Sequence, residues 1–154
     1  MNDGQVFIVA PKPADPYIVV YRQSESGVFP HIAITSGNML NLELYKENGP
    51  CREDFFIDFV DIEYCLRAKK KGLRVTTLDS VVMEHHIGKP RKVLFFTTTN
   101  HPPSRRYYIT RNRIAVWREY FSVDPEYVKY NILRFAKETA KTILGEHKKS
   151  LKFF

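Results

Sequence analysis

The chain has 154 residues, 44% hydrophobic and 27% charged, which is enough for one ordinary domain with a packed core. This composition excludes a wholly disordered chain, and no apolar run approaches the roughly 20 residues that span a bilayer. The first residues lack the basic and then apolar profile of a secretory signal. Two cysteines are too few for a disulfide scaffold, which indicates reduced thiols in a cytosolic protein.

The net charge of +7 is distributed unevenly along the chain. Residues 1–100 contain 12 Lys/Arg and 12 Asp/Glu, whereas residues 101–154 contain 12 and 5. The whole excess of positive charge therefore belongs to the C-terminal third. Such a segment is typical of contact with an anionic partner, either a nucleic acid or a membrane surface.

The first part of the chain is predicted to contain short strands separated by turns. The β-branched and aromatic runs that predict strands are Val6–Val9, Tyr17–Tyr21 and His31–Thr35. The proline-rich segment Pro11–Pro16 predicts a turn after the first strand. The stretch from Met39 to Glu47 favours a short helix, which Asn48-Gly49-Pro50 should end.

The middle of the chain is predicted to contain a helix followed by strands. Good helix formers run from Phe59 to Lys71, and Gly72 is placed to terminate that helix. Leu73–Leu78 and Val81–Met83 are predicted strands. Residues 88–104 contain three prolines and three consecutive threonines without periodicity, so we expect a mobile loop there.

Two helices are predicted after this loop, which completes an α/β fold followed by basic C-terminal helices. The first spans about Arg105 to Phe121, and the second begins at Asp124-Pro125, an N-cap followed by proline at the first helical position. The apolar residues that recur on one face of the second helix are Ile132, Phe135, Ala136, Thr139, Ile143 and Leu144. The basic residues of its opposite face are Lys129, Arg134, Lys137, Lys141 and Lys148.

Residues 53–63 contain five carboxylates among six apolar or aromatic side chains. Desolvation between apolar neighbours raises the pKa of a carboxylate and suits it to act as a general base. A structural interpretation is also open, because Asp58 and Asp61 have the spacing of an N-cap and the third position of a helix. The two interpretations are compatible, since one carboxylate can cap the helix while the other faces a cleft.

Two further segments have the chemistry of a binding site. Met83-Glu84-His85-His86 ends a strand beside the expected loop, where a histidine can bind a metal or a phosphate. Neighbouring strand residues point to opposite faces, so only one of His85 and His86 can be the ligand. Residues 105–113 combine four arginines with two tyrosines, which suits phosphate or pyrophosphate, although a solvated basic helix face has the same composition.

Several of these segments occur in an order and spacing that is characteristic of one enzyme family. They are Ile34–Leu40, Phe55–Arg67 with Lys71-Gly72, His85–Gly88, Arg106–Tyr108 and Arg111-Asn112. This series resembles the C-terminal half of a family 2 glycosyltransferase, with bacterial rhamnosyltransferases the most similar. The resemblance implies a partial GT-A fold, with residues 1–104 as the acceptor and base side of the catalytic domain and residues 105–154 as a basic helical segment.

The resemblance also implies a function. Such enzymes transfer a sugar, which is rhamnose in the members that are most similar, with inversion from a nucleotide-sugar to a hydroxyl of a glycan or lipid-linked acceptor in bacterial surface polysaccharide synthesis; the sequence alone does not name the donor sugar. Asp61 matches the family's catalytic base, and Val60 stands where the usual Glu precedes it. Inversion needs one base, which removes the acceptor proton as the oxygen attacks the anomeric carbon. His85 matches the histidine that joins Mg²⁺ or Mn²⁺, the ion that neutralises the departing diphosphate.

Further site residues and one absence follow from the same resemblance. The residues expected to bind substrate are Ser36, Gly37, Asp58, Glu63, Arg106 and Arg111. Arg67 is expected to pair with nearby carboxylates instead. The family's Asp-x-Asp motif, which holds the metal and the nucleotide, has no counterpart in this sequence. We therefore expect that these 154 residues by themselves do not transfer sugar.

A binding module without catalysis is the alternative interpretation. The basic, tyrosine-rich C-terminal third is typical of nucleic-acid binding, but it has no recognisable motif, and the acidic residues 53–63 interrupt a phosphate-tracking surface. We therefore expect no nucleic-acid partner. The basic amphipathic helix better suits an anionic membrane, which predicts a cytoplasmic protein bound peripherally at the inner face of the bacterial plasma membrane.

Overall fold

The computed structural model describes residues 5–13, 32–84, 91–93, 96–98 and 101–145. Its elements in chain order are β1 (Val6–Pro13), β2 (Met39–Leu40), α1 (Leu42–Asn48), a 3-10 turn (Glu53–Phe55), α2 (Val60–Lys70), β3 (Arg74–Met83), β4 (Arg91–Val93), β5 (Phe96–Thr98), α3 (Pro103–Tyr120) and α4 (Pro125–Gly145). The described architecture is therefore mixed α/β, as predicted. The strand predicted at Tyr17–Tyr21 lies outside the described residues.

A three-stranded sheet in the order β2-β1-β3 forms the centre of the fold. β1 pairs antiparallel with β2 and parallel with β3, and it buries Phe7, Ile8 and Ala10. The prediction of a turn from Pro11 onward is wrong for its first residues, because β1 continues to Pro13. The register with β3 shifts between Pro11 and Lys12, and such an irregularity accommodates residues that lack a backbone N–H.

The helices around this sheet occur where they are predicted, with shifted ends, and the predicted start of the first helix is wrong because Met39–Leu40 form β2 and α1 begins at Leu42. Asn41 caps α1 by accepting hydrogen bonds from the backbone N–H groups of Glu43 and Leu44. α2 ends one residue from its predicted end, and Gly72 follows it with φ +75°, a backbone conformation that glycine adopts without strain. The tight turn at Gly72 reverses the chain, so the N-terminus of α2 lies on the side where β1 and β3 end.

Two local predictions are wrong where tertiary contacts replace the expected structure. Within the described residues, 32–34 form no strand, because the backbone N–H and carbonyl of Ala33 bond to the Cys65 thiol at 3.4 and 3.7 Å. Burial raises the pKa of Cys65 to about 12, so this thiol stays protonated. Residues 88–104 are not simply a loop, since β4 and β5 pair antiparallel within them and α3 begins at Pro103.

One hydrophobic core contains residues from both sides of the predicted boundary at residue 104. It joins Leu66 of α2 with Val116 and Tyr120 of α3 and with Tyr127 and Val128 of α4. The predicted division into residues 1–104 and 105–154 is therefore not a break in packing, and the division itself stays a prediction. Among the described residues, no helix combines the length and the apolar content that a membrane span needs.

The C-terminal helix α4 packs by a face that only partly coincides with the predicted one, since Phe135 of the predicted face contacts Trp117. Asp124 caps it as predicted, accepting a hydrogen bond from the Tyr127 N–H at 3.0 Å. The buried residues that follow are Tyr127, Val128 and Asn131, and the Asn131 side chain accepts a 3.2 Å hydrogen bond from Trp117 Nε1. The predicted apolar residues of α4 do not include these three buried residues, because the polar Asn131 lies at the centre of the buried face.

A buried arginine connects α3, α4 and the start of α2. The guanidinium of Arg113 lies 5.2 Å from the ring centroid of Phe59 and 4.9 Å from that of Phe135. Two of its nitrogens contact one carboxylate oxygen of Glu138 at 3.1 Å. Burial alone would raise the pKa of Glu138, but the charges of Arg113 and Arg134 and their hydrogen bonds lower it below its ordinary value. Glu138 therefore stabilises the fold as a carboxylate.

The lowered pKa of Glu138 predicts a pH-dependent contribution to stability. A carboxyl whose pKa is lower in the folded state stabilises the protein above its unfolded pKa of about 4.3, and this contribution disappears as pH falls through the folded pKa. We expect Glu138→Gln to reduce the free energy of unfolding at pH 7 by about 2 kcal/mol, a value moderated by solvent screening. The difference from wild type should shrink at pH 3, as measured by urea denaturation. Glu126→Gln, which changes an exposed carboxylate of α4, is the control, and a pH-independent difference for Glu138→Gln would contradict the expectation.

Candidate functional site

The segment before α2 has an unusual backbone conformation. Phe56, Asp58 and Phe59 have φ angles of 58°, 63° and 65°, although none of them is a glycine. L-residues with such angles are strained by on the order of 1–3 kcal/mol each, and they persist only where the surroundings enforce them. We call residues 56–59 the strained turn. Strain of this kind is concentrated at functional sites, and here it precedes the helix that carries the predicted base.

The side-chain amide of Asn112 on α3 holds the strained turn in place. Its nitrogen donates to the carbonyl oxygens of Phe55, Ile57 and Asp58 at 2.8, 2.9 and 2.9 Å. The amide has two hydrogens for three acceptors, so one hydrogen is shared. Its oxygen accepts a 3.0 Å bond from Arg111 Nε, and the residue is fully buried. These hydrogen bonds fix the strained turn to α3.

Asp58 is bound by an arginine and does not cap α2. Arg105 donates through Nε and Nη2 to the two carboxylate oxygens at 2.8 and 3.0 Å, a bidentate pair. The predicted N-cap role of Asp58 is wrong, because Phe59 holds the cap position and the carboxylate is directed to α3. Asp58 remains partly exposed, with 21% of its side chain accessible.

The predicted base Asp61 lies at the second residue of α2, one position before the expected one. It is half-buried, and its Oδ1 accepts a hydrogen bond from the N–H of Ile62 at 2.9 Å. A carboxylate in the first turn of a helix is stabilised by the helix dipole and by the free N–H groups there. Asp61 is therefore held at the helix N-terminus, on the side where the parallel strands end.

Glu63 is buried between α2 and α3. Its side chain is 1% exposed, and it accepts hydrogen bonds from the Tyr120 hydroxyl at 2.6 Å and from Arg67 at 3.2 Å. Burial and the hydrogen bond to Glu63 both raise the pKa of Tyr120. Glu63 therefore attaches α2 to α3, and its role in substrate binding stays a prediction. The expected pairing of Arg67 with a local carboxylate is observed.

The structure places Ser36 and Gly37 in a turn beside the ends of β1 and β3. Gly37 has φ +70°, and a Cβ added there would lie 2.8 Å from Met83 Sδ and 3.1 Å from Pro11 Cγ. The positive φ angle and the lack of space for a Cβ atom both require glycine at this position. Ser36 is exposed. In α/β sheets with parallel strands, ligands bind beyond the carboxyl ends of the strands, where this turn lies.

The remaining predicted ligands divide between α3 and residues outside the described part of the chain. Arg111 donates to the Asp54 carbonyl oxygen, and its guanidinium lies 5.0 Å from the ring centroid of Tyr108. Arg106 is half-buried on the same helix. His85 and His86 lie outside the described residues.

The described residues do not by themselves form a site for Mg²⁺ or Mn²⁺. No group of three or more His, Cys, Asp or Glu side chains that could hold a metal occurs among them. The two carboxylates nearest Asp61 in sequence are already bound, Asp58 by Arg105 and Glu63 by Tyr120 and Arg67. The metal and its ligands therefore stay predictions.

Sequence reasoning missed the two residues that organise this site. In the sequence, Asn112 stands out only as part of the segment Arg111-Asn112, and Arg105 only as one of the four arginines of residues 105–113. A signal for Asn112 was available, because an asparagine within a helix is unfavourable by propensity unless its amide is used. The carbonyl groups that use it lie 54 to 57 residues away, which no local pattern reveals.

The chain is similar in sequence to a known sugar transferase. Over 89 residues, 57% of this chain, it is 37% identical to the dTDP-rhamnosyl transferase RfbF of Shigella flexneri. The match covers 30% of that protein's length. No protein-family model and no solved structure matches the chain. The comparison therefore supports similarity to a rhamnosyltransferase, and the α/β fold described above is not identified as GT-A by a structural neighbour.

The Asn112 contacts predict a large loss of stability on substitution. Asn112→Ala removes the side-chain donor from three carbonyl oxygens of the segment before α2, of which that of Phe55 keeps the Ile57 N–H, so we expect the free energy of unfolding to fall by about 3 kcal/mol. Asn48→Ala is the matched control, because Asn48 is also fully buried but donates to one carbonyl, that of Tyr64. Urea denaturation followed by circular dichroism measures both variants. Equal losses for the two would show that Asn112 has no special role.

Proposed function

We propose that the chain carries the acceptor-activating part of an inverting glycosyltransferase. The donor would be a nucleotide-sugar of rhamnose, and the acceptor a hydroxyl of a glycan or lipid-linked glycan of a bacterial surface polysaccharide. The observation that supports this most strongly is the 37% identity to a dTDP-rhamnosyl transferase over 57% of the chain. The strained turn before the helix whose second residue is Asp61 is the second support, because it gives that aspartate a defined position.

In this proposal Asp61 is the general base. Its carboxylate accepts the proton of the acceptor hydroxyl as that oxygen forms a bond to the anomeric carbon and the bond to the nucleoside diphosphate breaks. One carboxylate suffices, because attack on the face opposite the leaving group inverts the configuration in a single step. The neighbouring carboxylate of Asp58 is engaged in a bidentate ion pair with Arg105, so the proposal gives Asp58 no part in the proton transfer.

Other residues of the site would position the acceptor. Ser36 and Gly37 lie beside the ends of the parallel strands, and Arg106 and Arg111 lie on α3 next to the strained turn. A Mg²⁺ or Mn²⁺ ion would supply charge neutralisation for the leaving diphosphate, with His85 as the predicted ligand from this chain. Asn112 and Glu63 are positioning residues, since both act on the start of α2 from within the protein.

The base assignment is tested by Asp61→Asn in the full-length polypeptide that contains these residues. We expect rhamnose transfer from dTDP-rhamnose to fall by at least about 100-fold while the melting temperature changes little, since general-base catalysis contributes about 10² to 10⁴. Glu43→Gln is a matched control, because Glu43 is also the second residue of a helix and is exposed. Turnover close to wild type in Asp61→Asn would refute the assignment, and loss of folding instead would indicate a structural role.

We further propose that the outer face of α4 binds an anionic membrane. The face opposite its buried residues exposes apolar side chains, with Leu133 and Ile143 exposed by 64% and 60%. Three exposed lysines, Lys129, Lys137 and Lys141, lie among and beside these side chains. Apolar groups flanked by lysines suit insertion at the boundary of an anionic lipid surface, where a lipid-linked acceptor would be encountered.

The membrane proposal predicts selective binding to anionic vesicles. We expect the chain to sediment with phosphatidylcholine vesicles that contain phosphatidylglycerol and not with phosphatidylcholine alone. Replacing Lys129, Lys137 and Lys141 by alanine should lower the partition coefficient by about 100-fold, at roughly 1 kcal/mol per lysine. The control replaces three exposed lysines elsewhere, Lys46, Lys70 and Lys71. Equal effects of the two triple variants, or stronger binding to single-stranded DNA with a steep salt dependence, would refute it.

A further inference from the structure

Phe56 is a large aromatic residue that the fold presents to solvent. Its side chain is 74% exposed, although it lies between residues of the core and of the site. The backbone that carries it is strained, with φ 58°, and Asn112 holds the carbonyl groups on both sides of it. Removal of such a ring from water would stabilise the protein, and strain opposes folding. The native structure retains both the exposed ring and the strained backbone, which indicates that the ring has a binding function.

Two tyrosines of α3 extend the exposed aromatic surface. The ring centroid of Phe56 lies 5.1 Å from that of Tyr108, which in turn lies 5.4 Å from that of Tyr107. Tyr107 is 61% exposed. Arg111 contacts the Tyr108 ring through its guanidinium, and its bonds to the Asp54 carbonyl and to Asn112 keep it there. We call Phe56, Tyr107 and Tyr108 the aromatic platform.

The polar groups near the aromatic platform have both signs of charge. The carboxylate of Asp54 is 63% exposed, and Asp58 and its partner Arg105 are each partly exposed. The hydrogen bond from Arg52 holds the pKa of Asp54 below its ordinary value, so Asp54 is negative at neutral pH. Arg52 and Arg105 each pair with one of these carboxylates through two hydrogen bonds, so the charges of these groups cancel and do not favour a nucleic acid or an anionic lipid as the occupant. A neutral ligand with an apolar face and several hydroxyls fits these groups.

We propose that the aromatic platform binds a pyranose ring of the acceptor glycan, which rests on the function proposed above. One face of a pyranose consists of C–H groups that stack on the negative face of an aromatic ring, and its hydroxyls can donate to the carboxylates around the platform. The acceptor hydroxyl must come within hydrogen-bond reach of Asp61 to lose its proton. The strained turn that presents Phe56 leads directly into the helix that carries Asp61.

Saturation-transfer NMR on the 154-residue chain tests the platform directly. The probes are methyl α-L-rhamnopyranoside, methyl α-D-glucopyranoside and the methyl β-glycoside of N-acetylglucosamine. We expect at least one of them to receive saturation through the C–H protons of one ring face. Phe56→Ala and Tyr107→Ala should each reduce that signal about fivefold, whereas Phe56→Tyr should retain it. Phe121→Ala, which removes a 49% exposed phenylalanine just beyond the other end of α3, should leave it unchanged.

The results separate this proposal from the proposed function. Absence of saturation for every probe, or equal signals in wild type and Phe56→Ala, would overturn the aromatic platform, whatever Asp61→Asn does to transfer. Saturation that depends on Phe56 together with no transfer by the full-length polypeptide would support a sugar-binding site and refute the transferase. Where transfer occurs, Phe56→Ala should raise the acceptor KM about tenfold and change kcat little, and an unchanged KM would overturn the platform.

Discussion

The hydrogen bonds from Asn112 to three backbone carbonyls are the interaction on which the site depends. A backbone with three positive φ angles within four residues has lost the regular partners of its polar groups, and a buried carbonyl without a donor is destabilising. The amide replaces those partners from a neighbouring helix. The direction of Asp58, the exposure of Phe56 and the first turn of α2 are all consequences of the conformation that it stabilises.

The C-terminal third is therefore not an appendage of the site. Arg105 and Arg111 bind groups of the segment before α2, and Arg113 stacks on Phe59 while it contacts Glu138 of α4. These arginines account for part of the positive charge that appears, in the sequence, as a uniform basic segment. The exposed lysines of α4 are the other part. The charge excess is therefore divided between internal contacts that hold the site together and exposed side chains.

The elements that depend on contacts between sequence neighbours could be predicted, and those that depend on contacts between residues far apart in the sequence could not. α2, its end at Gly72 and the Asp124 cap follow from signals within a few residues. The segment at residues 32–34 has strand-forming composition, yet its backbone groups bond to a cysteine 32 residues away. For the candidate site, Asp61 was placed within one residue of its helix position, while Asp58 received a capping role that Arg105 excludes. A cap is a contact between near neighbours, whereas this ion pair joins residues 47 apart.

By itself the sequence determined the α/β class, the order of its main helices and the segment that resembles a glycosyltransferase, since periodicity, caps and motif spacing are properties of neighbouring residues. The tertiary structure alone decided that Glu63 is buried against Tyr120, that Phe56 faces solvent and that α4 packs through Asn131. Each of these depends on which groups meet after the chain has folded. Burial and hydrogen bonding depend on the neighbours that a side chain has in the folded protein, so the same residue type is structural in the core and available for binding at the surface.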